Sequence, residues 1–446
     1  MSRQARLDLA TLPAYQASLD CVHCGFCLQS CATYQVTGLE PSSPRGRIVL
    51  MKGYAEGKLS LTGEAARHLD DCLGCRACEP VCPAGVRYGE MLEVVREARA
   101  ARETSTSPTD LAMRVREFAL DRVPSRSFGR ALALGLALYA RSGVRARLHR
   151  SGWAARLPPR LRALEALAPA PARRASIHAR PLPQPSPANG PRVALFRGCV
   201  GEALFPDVND HAAALLTLHG YQVIVPPEQT CCGALDLHAG RTGRALALAR
   251  RNLDAFEALG LGEPGGVDFI VNTAAGCGAM LRDLSRHFGD APGVAASAKR
   301  FEERVRDVTE LLAARAPSSP PRELPVVATY HPPCHLHHAQ RVVDAPLALL
   351  RSIPSLTLVP LPRAELCCGS GGIYNVLRPE MASRVRDDKL DAIEATGARY
   401  LVTGNPGCHL HLAAGLAERG RAVHVLHPVS LLAIAHGFAP LPRSTV

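Results

Sequence analysis

Two runs of four cysteines near the N-terminus have the residue type and the spacing to bind metal. One run begins at Cys21 and the other at Cys72, and both have the spacing C-x2-C-x2-C-x3-C. In two-cluster ferredoxins, three thiolates of such a run hold one [4Fe–4S] cubane and the fourth ligates the other cubane. Isolated C-x2-C units would suit zinc, but two complete runs have no comparable zinc interpretation. The runs therefore predict two [4Fe–4S] clusters.

The crossed fourth cysteine divides the eight thiols into two sets of ligands. The first cluster is assigned to Cys21, Cys24, Cys27 and Cys82. The second cluster is assigned to Cys72, Cys75, Cys78 and Cys31. Gly25 and Gly74 keep the loops thin, so that backbone N–H groups can approach the cluster sulfides. Ala32 replaces the proline that usually follows the fourth cysteine, which changes local backbone shape but no ligand.

Eight further cysteines occur in two copies of one pattern. Each copy has a single cysteine, a Cys-Cys-Gly triplet and a final Gly-Cys pair, and the offsets between the copies are 135, 136 and 131 residues. A short β-branched run precedes each motif, and open α/β sheets place their sites beyond the ends of such strands. The pattern predicts a third and a fourth site, which could hold iron–sulfur, zinc or no metal: Cys199, Cys231, Cys232 and Cys277; and Cys334, Cys367, Cys368 and Cys408.

The elements that position these cysteines differ along the chain. Helical spacing dominates the N-terminal part, whereas β-branched runs alternate with helical stretches after residue 190. The predicted fold is α+β and multidomain, with a mainly helical two-cluster ferredoxin domain before a duplicated α/β Cys-Cys-Gly domain. The predicted units are 1–103, the ferredoxin-like domain; 104–190, an Arg-rich helical connector and a Pro-rich linker; 191–324, the first repeat; and 325–446, the second repeat.

The net charge of +12 is concentrated in one segment, because residues 111–180 contain 15 arginines and three acidic residues. Such a segment suits an anionic membrane surface or an acidic subunit, or it is a solvated connector. A nucleic-acid partner is not expected, because the chain has 4% aromatic residues and no nucleic-acid motif. No secretory signal precedes the first cysteine run, so we expect a cytoplasmic protein, with peripheral attachment to the inner membrane left open.

The combination of motifs resembles the iron–sulfur subunit of bacterial glycolate oxidase. The resemblance covers nearly the whole chain, and its longest motifs are Cys21–Cys27, Pro44–Ile48, Leu195–Cys199, Phe205–Val208, Cys367–Ser370 and Asn405–Cys408. Subunits of anaerobic glycerol-3-phosphate dehydrogenase, some D-lactate dehydrogenases and heterodisulfide reductase share the Cys-Cys-Gly architecture. The last of these carry a fifth cysteine per motif, which is replaced here by Ala274 and Asn405.

The resemblance implies an electron-transfer subunit. A flavoprotein partner with FAD would oxidise glycolate to glyoxylate, and electrons would pass through this chain to a quinone or another acceptor. The chain has no nucleotide fingerprint of its own, because the G-x-G-x-x-G at Gly260–Gly265 follows a helical stretch and precedes a strand. We therefore expect no activity on substrate without a partner, and we assign no catalytic residue.

Two alternatives remain open from the sequence. The chain could be the equivalent subunit of a D-lactate or anaerobic glycerol-3-phosphate dehydrogenase. The two Cys-Cys-Gly repeats, 191–324 and 325–446, are called the first and second halves. They could instead form a catalytic site like that of heterodisulfide reductase. Four histidines near the second site could be ligands, proton carriers or solvated residues: His331, His335, His337 and His338.

Overall fold

The structure is a computed structural model, and it describes residues 13–60, 62–105, 117–118, 120–168, 190–289 and 293–442. The predicted Pro-rich linker lies almost entirely outside the described residues, as does the start of the Arg-rich segment. Among the described residues, no helix combines the length and the apolar character needed to cross a bilayer.

The N-terminal part is helical, as predicted, and in its described residues it contains no strand. Ser43 caps the third helix by accepting a hydrogen bond from the Gly46 N–H at 2.9 Å, and Pro44 occupies the first helical position. Buried Ile48, Met51 and Leu92 pack against the cysteine loops. The helices are α1 (Pro13–Leu19), α2 (Ala32–Thr37), α3 (Pro44–Ala55), α4 (Gly63–Asp70) and α5 (Tyr88–Ser105).

The connector is also helical where it is described. Its longest helix is amphipathic, and Leu134 and Leu138 are exposed on it, as is Trp153 further along. This helix packs against the short helix that follows Cys199. The connector helices are α6 (Arg126–Arg141), α7 (Val144–Arg150), α8 (Trp153–Arg156) and α9 (Pro159–Ala166).

Two four-stranded parallel sheets follow, and they have the same topology. In each sheet the first strand lies between the second and the third, and the fourth strand pairs with the third. The short fourth strands were not anticipated from the sequence. The strands are β1 (Arg192–Phe196), β2 (Gln222–Ile224), β3 (Phe269–Asn272), β4 (Val305–Asp307), β5 (Val327–Tyr330), β6 (Thr357–Val359), β7 (Tyr400–Val402) and β8 (His424–Leu426). The predicted duplicated α/β architecture is thus confirmed.

Helices cover both sheets, and the two halves share one hydrophobic core. Leu215 and Leu216 of the first half belong to the same buried cluster as Val402 and Leu432 of the second. The helices are α10 (Val200–Leu204), α11 (Pro206–Leu218), α12 (Ala234–His238), α13 (Thr242–Glu257), α14 (Ala275–Arg282), α15 (Leu284–Phe288), α16 (Ala295–Arg304), α17 (Val308–Ala314), α18 (Asp344–Arg351), α19 (Tyr374–Leu377), α20 (Pro379–Ala395), α21 (Pro406–Glu418) and α22 (Pro428–Ala435).

The N-terminal domain packs against both halves. On the second half, the Tyr374 hydroxyl donates to the Asp71 carbonyl at 3.0 Å, and Arg378 pairs with Asp70 at 2.8 Å. On the first half, Arg286 pairs with Glu93 at 2.9 Å. These contacts bring the loop of the second cysteine run towards the cysteine motifs of the halves.

Candidate functional site

The first group of N-terminal cysteines surrounds a cavity near the surface. Its walls include Arg45, Ile48 and Tyr88, and Cys24 is exposed. Phe26, in the same loop, has 66% of its surface exposed. The cysteines that line this cavity are Cys21, Cys24, Cys27, Cys78 and Cys82. All four thiols predicted for the first cluster are therefore neighbours, and their assignment as its ligands stays a prediction.

The second group surrounds a deeper cavity next to the first. Arg47 and Tyr88 form part of its wall, and Cys31, although it belongs to the first run in sequence, lies on this side. The cysteines that line it are Cys31, Cys72, Cys75 and Cys78. This grouping is the one that the crossed assignment requires, with Cys78 positioned between the two cavities.

The loops of both runs turn at the same two positions. His23 and Gly74 have φ angles of 56° and 65°, and Gly25 and Arg76 have φ angles of 87° and 60°. These are left-handed conformations, which are uncommon for residues with a side chain. Each run thus places glycine at one of the two positions and a larger residue at the other, which shows that the two loops follow one backbone path.

A buried guanidinium lies beside the second group of thiols. Arg47 is 1% exposed, and it donates hydrogen bonds to the His68 carbonyl at 2.6 Å and to the Thr33 hydroxyl at 3.1 Å. Burial alone would raise the pKa of Cys72, but the positive charges of Arg47 and Arg96 outweigh burial and lower it. Cys72 is therefore held towards thiolate, the form that binds metal, whereas burial raises the pKa of Cys31 and of Cys78.

The cysteines of the first Cys-Cys-Gly half form two close pairs. The sulfur atoms of Cys199 and Cys231 are 3.3 Å apart, and so are those of Cys232 and Cys277. These separations exceed the S–S bond length of about 2.05 Å, so the thiols are free. Hydrogen bonds from the neighbouring thiols lower the pKa of Cys231 well below its ordinary value.

The second half repeats this arrangement. The N–H of Gly369 points at the sulfur of Cys367 at 3.5 Å, and the corresponding Gly233 N–H lies 3.5 Å from the Cys231 sulfur. Both glycines have φ angles of 88°, and a Cβ on Gly369 would lie 2.6 Å from the Ala382 carbonyl oxygen. Glycine is therefore required where the chain leaves each cysteine pair.

The second half adjoins the second N-terminal group of cysteines. A hydrogen bond with Cys367 and burial raise the pKa of Cys75 well above its ordinary value. The Cys367 thiol also raises the pKa of Cys334. Leu73 and Cys75 belong to one apolar cluster with Cys367. Residues from opposite ends of the chain thus form one continuous region of thiols.

The four histidines near the second site have different surroundings. The ligand atoms of His331, Cys368 and Cys408 all lie within 4.8 Å of one another. His335 packs against His238 with ring centroids 5.5 Å apart, and His338 bonds the Glu365 carbonyl at 2.9 Å. Burial lowers the pKa of His331 well below its ordinary value, against a smaller opposing effect of the Ala364 carbonyl.

Sequence reasoning missed the roles of Arg47 and Asn405. Asn405 occupies a position of the fifth cysteine in heterodisulfide reductase relatives. Here its Oδ1 accepts from the Gly276 N–H at 3.1 Å, and its Nδ2 donates to the Cys408 sulfur at 3.6 Å. Asn405 therefore links the two halves at their cysteine motifs. Arg47 lies within the Pro44–Ile48 motif, but its burial has no signal in the sequence.

The donor sets are suited to iron–sulfur chemistry. Both N-terminal cavities are lined by at least four thiols, and thiolates select iron–sulfur clusters and zinc. The crossed supply of thiols and the buried cation favour clusters. The fold and the cysteines together define a protein with a two-cluster ferredoxin domain and two cysteine-rich α/β domains.

Comparisons with known proteins agree with this class. The family described as "4Fe-4S dicluster domain" matches residues 17–86, and "Cysteine-rich domain" matches residues 193–282 and 328–413. A third family, "Glycolate oxidase iron-sulfur subunit, linker region", matches residues 113–168. The connector, for which the sequence motifs had little to say, is thus itself a family feature.

Relatives extend over almost the whole chain. The probable glycolate oxidase iron–sulfur subunit of Bacillus subtilis is 38% identical over 94% of each chain. The glycolate oxidase iron–sulfur subunit of Escherichia coli is 34% identical over 93% of this chain and 94% of its own. A lactate utilization protein A of Exiguobacterium is 32% identical over 54% of this chain. The chain belongs to the family of glycolate oxidase iron–sulfur subunits.

Proposed function

We propose that this chain is the iron–sulfur electron-transfer subunit of a flavin-linked glycolate oxidase, which converts glycolate to glyoxylate. The similarity to two glycolate oxidase subunits over at least 93% of the chain carries the proposal. The match to the linker region supports it, because a general ferredoxin or cysteine-rich domain would not share this segment.

The eight N-terminal cysteines would hold two [4Fe–4S] clusters in the crossed arrangement predicted from their spacing. Such clusters, when bound, accept and release single electrons. Arg47 and Tyr88 act on the second group, since the Tyr88 hydroxyl lies 3.5 Å from the Cys72 sulfur and the Arg47 guanidinium is buried nearby. These residues favour negative charge at the second group relative to the more exposed first group.

The partner flavoprotein would dock over the first cysteine run. Val22, Cys24 and Phe26 are exposed in one loop, and Val22 and Phe26 offer apolar surface. Apolar and aromatic side chains are enriched in the centres of protein interfaces. This loop is therefore the surface at which electrons would enter the subunit.

The acceptor would receive electrons by way of the Cys-Cys-Gly halves. The second half adjoins Cys75 through Cys367. In the first half, Cys199 and Cys231 line a cavity of about 780 Å³, and the connector helix α6 forms its other wall. A cavity of this size can admit a small molecule such as a quinone. Attachment to the inner membrane surface would bring the subunit close to a quinone pool.

The test compares the isolated subunit with the same subunit co-expressed with its flavoprotein partner. The full chain, purified anaerobically, should contain at least about eight irons. On its own it should not reduce a dye with glycolate, because we find no flavin or nicotinamide fingerprint in the sequence. Co-expression with the flavoprotein should restore glycolate-dependent reduction. Stoichiometric zinc with negligible iron, or rapid turnover by the isolated chain, would refute the proposal.

Relatives whose names refer to lactate favour lactate as a second candidate substrate. Several proteins named lactate utilization protein A match 54% of this chain at 28–32% identity. The same co-expressed complex should therefore be assayed with D-lactate and with glycerol 3-phosphate beside glycolate. A larger kcat/KM for D-lactate would assign the chain to a lactate dehydrogenase instead.

A further inference from the structure

The two Cys-Cys-Gly halves differ at one buried position beside their cysteines. Phe196 and His331 each lie three residues before the first cysteine of their half, and they are 135 residues apart, as are Cys199 and Cys334. Phe196 ends strand β1 and packs in the apolar core against Phe256. His331 directly follows strand β5, and its backbone N–H bonds the Val402 carbonyl at 2.9 Å.

The imidazole of His331 is buried without a polar partner of ordinary hydrogen-bond geometry. It is 0% exposed, and in the part of the chain that the structure describes neither ring nitrogen forms a hydrogen bond of ordinary geometry; the nearby Ala364 carbonyl, which already accepts from Lys389, has only a weak effect on the imidazole. Buried polar groups are nearly always paired, so an orphaned imidazole in a well-packed core calls for a ligand. Neighbouring Lys389 does not provide one, because its ammonium donates to the Arg363 and Ala364 carbonyls.

The surroundings of this imidazole are those of a metal site. Cys368 and Cys408 are both buried, and their sulfur atoms lie within 4.8 Å of a His331 ring nitrogen and of each other. Imidazole and thiolate together bind zinc and iron. Asn405, which replaces the fifth cysteine, donates to the Cys408 sulfur and would orient this thiolate as a ligand.

We propose that His331 is a metal ligand of the second half, acting with Cys368 and Cys408, whereas the first half offers thiols alone. The inference rests on the proposed function only in that the halves hold metal. A neutral imidazole in place of a thiolate removes one negative charge from the ligands, and in Rieske centres this replacement raises the reduction potential. With iron bound in both halves, the second half, next to Cys75, would therefore hold the more oxidising of the two centres; zinc there would be redox-inert.

The test compares the metal content of the full chain in four forms: wild type, His331→Ala, His331→Cys and His338→Gln. His331→Ala should lose the metal of the second half, and His331→Cys should keep it because a thiolate replaces the imidazole. His338→Gln is the matched control, since His338 is a nearby buried histidine that bonds a backbone carbonyl. A full complement of metal in His331→Ala would overturn the proposal.

A nitrogen signature distinguishes a ligand from a structural residue. In wild type labelled with 15N-histidine, an iron centre should show a 15N coupling in pulsed EPR, and a zinc centre should show a nitrogen scatterer in X-ray absorption. The signature should vanish in His331→Cys and persist in His338→Gln. If His331→Ala does not fold, this comparison decides, and absence of the signature from wild type overturns the proposal.

These outcomes are separate from a failure of the proposed function. About eight irons per chain with no histidine nitrogen at any metal would overturn only the role of His331. Absence of the N-terminal clusters would overturn the proposed function whatever the second half contains.

Discussion

Arg47 is the residue whose charge acts most directly on a predicted cluster. Its guanidinium is buried against Cys31 and Cys72, and the charges of these thiols raise the pKa of Arg47 despite its burial. Because a buried cation stabilises an added electron nearby, it should raise the reduction potential of the cluster held by the second group of cysteines.

We therefore expect Arg47→Met to lower that potential. A charge roughly 6 Å away at an effective dielectric of about 20 contributes about 2–3 kcal/mol, which corresponds to about 100 mV for one electron. Potentiometric titration followed by EPR measures the change. Arg45→Met is the control, since Arg45 pairs with Glu40 and bonds the His23 carbonyl of the first loop. An unchanged potential of the second cluster in Arg47→Met would contradict this account.

In the described part of the connector, helix α6 carries exposed apolar residues. It exposes Leu134 and Leu138 within the segment that carries 15 arginines. A basic amphipathic helix with exposed apolar residues suits an anionic membrane surface. Each basic residue near such a surface contributes about 1 kcal/mol, and salt weakens the attraction.

We expect the full chain to co-sediment with vesicles that contain anionic lipid at low salt, and to be released at high salt. Leu134→Glu combined with Leu138→Glu should weaken this binding at least tenfold, because it removes the apolar contact. Neutral vesicles are the control. If the chain ignores anionic vesicles at low salt, the segment serves as a connector alone.

The sequence predicted elements well where hydrophobic runs were regular. Predicted and observed strands agree closely, as at Tyr400–Val402, because short β-branched runs between helical stretches have few alternatives. The fourth strand of the first half, Val305–Asp307, was missed because two of its three residues are charged. The proximity of Cys75 to Cys367 was also invisible, since it depends on how the N-terminal domain packs on the second half.

The N-terminal cysteine sites could be predicted because their sequence pattern is also regular. Cysteine spacing specifies which thiols can share a cavity when the loop is local, whereas Cys31 and Cys82 had to be placed by analogy with ferredoxins. The histidines were different, because four of them occur within eight residues and the sequence does not say which ring lies next to the thiols. In the structure it is His331, which directly follows strand β5 and lies beside Cys368 and Cys408.

At the scale of the whole molecule, the thiol groups form a series from an exposed loop to the buried second half. We expect Cys368→Ser to abolish electron delivery to the acceptor while both N-terminal clusters remain visible by EPR, because Cys368 belongs to the second half, which adjoins the second N-terminal group through Cys367 and Cys75. Dye reduction and acceptor reduction should be measured side by side in the complete complex. The comparison separates electron entry into the N-terminal clusters from electron delivery to the acceptor.

Cys232→Ser in the first half is the matched control for this variant. Cys232 is the corresponding second cysteine of its pair, and it lies 3.3 Å from Cys277. Loss of acceptor reduction in Cys232→Ser alone would place the route through the first half. Wild-type rates and metal content in both variants would show that the halves take no part in electron transfer.

The crossed supply of thiols has a consequence for biosynthesis. Neither cavity has its four cysteines until both loops have left the ribosome, since Cys82 completes the first group and Cys31 belongs to the second. The second cavity is then covered by the half that is translated last, through Tyr374 and Cys367. We therefore expect a cluster to enter the second cavity most readily after the second loop is made and before the C-terminal half packs over it.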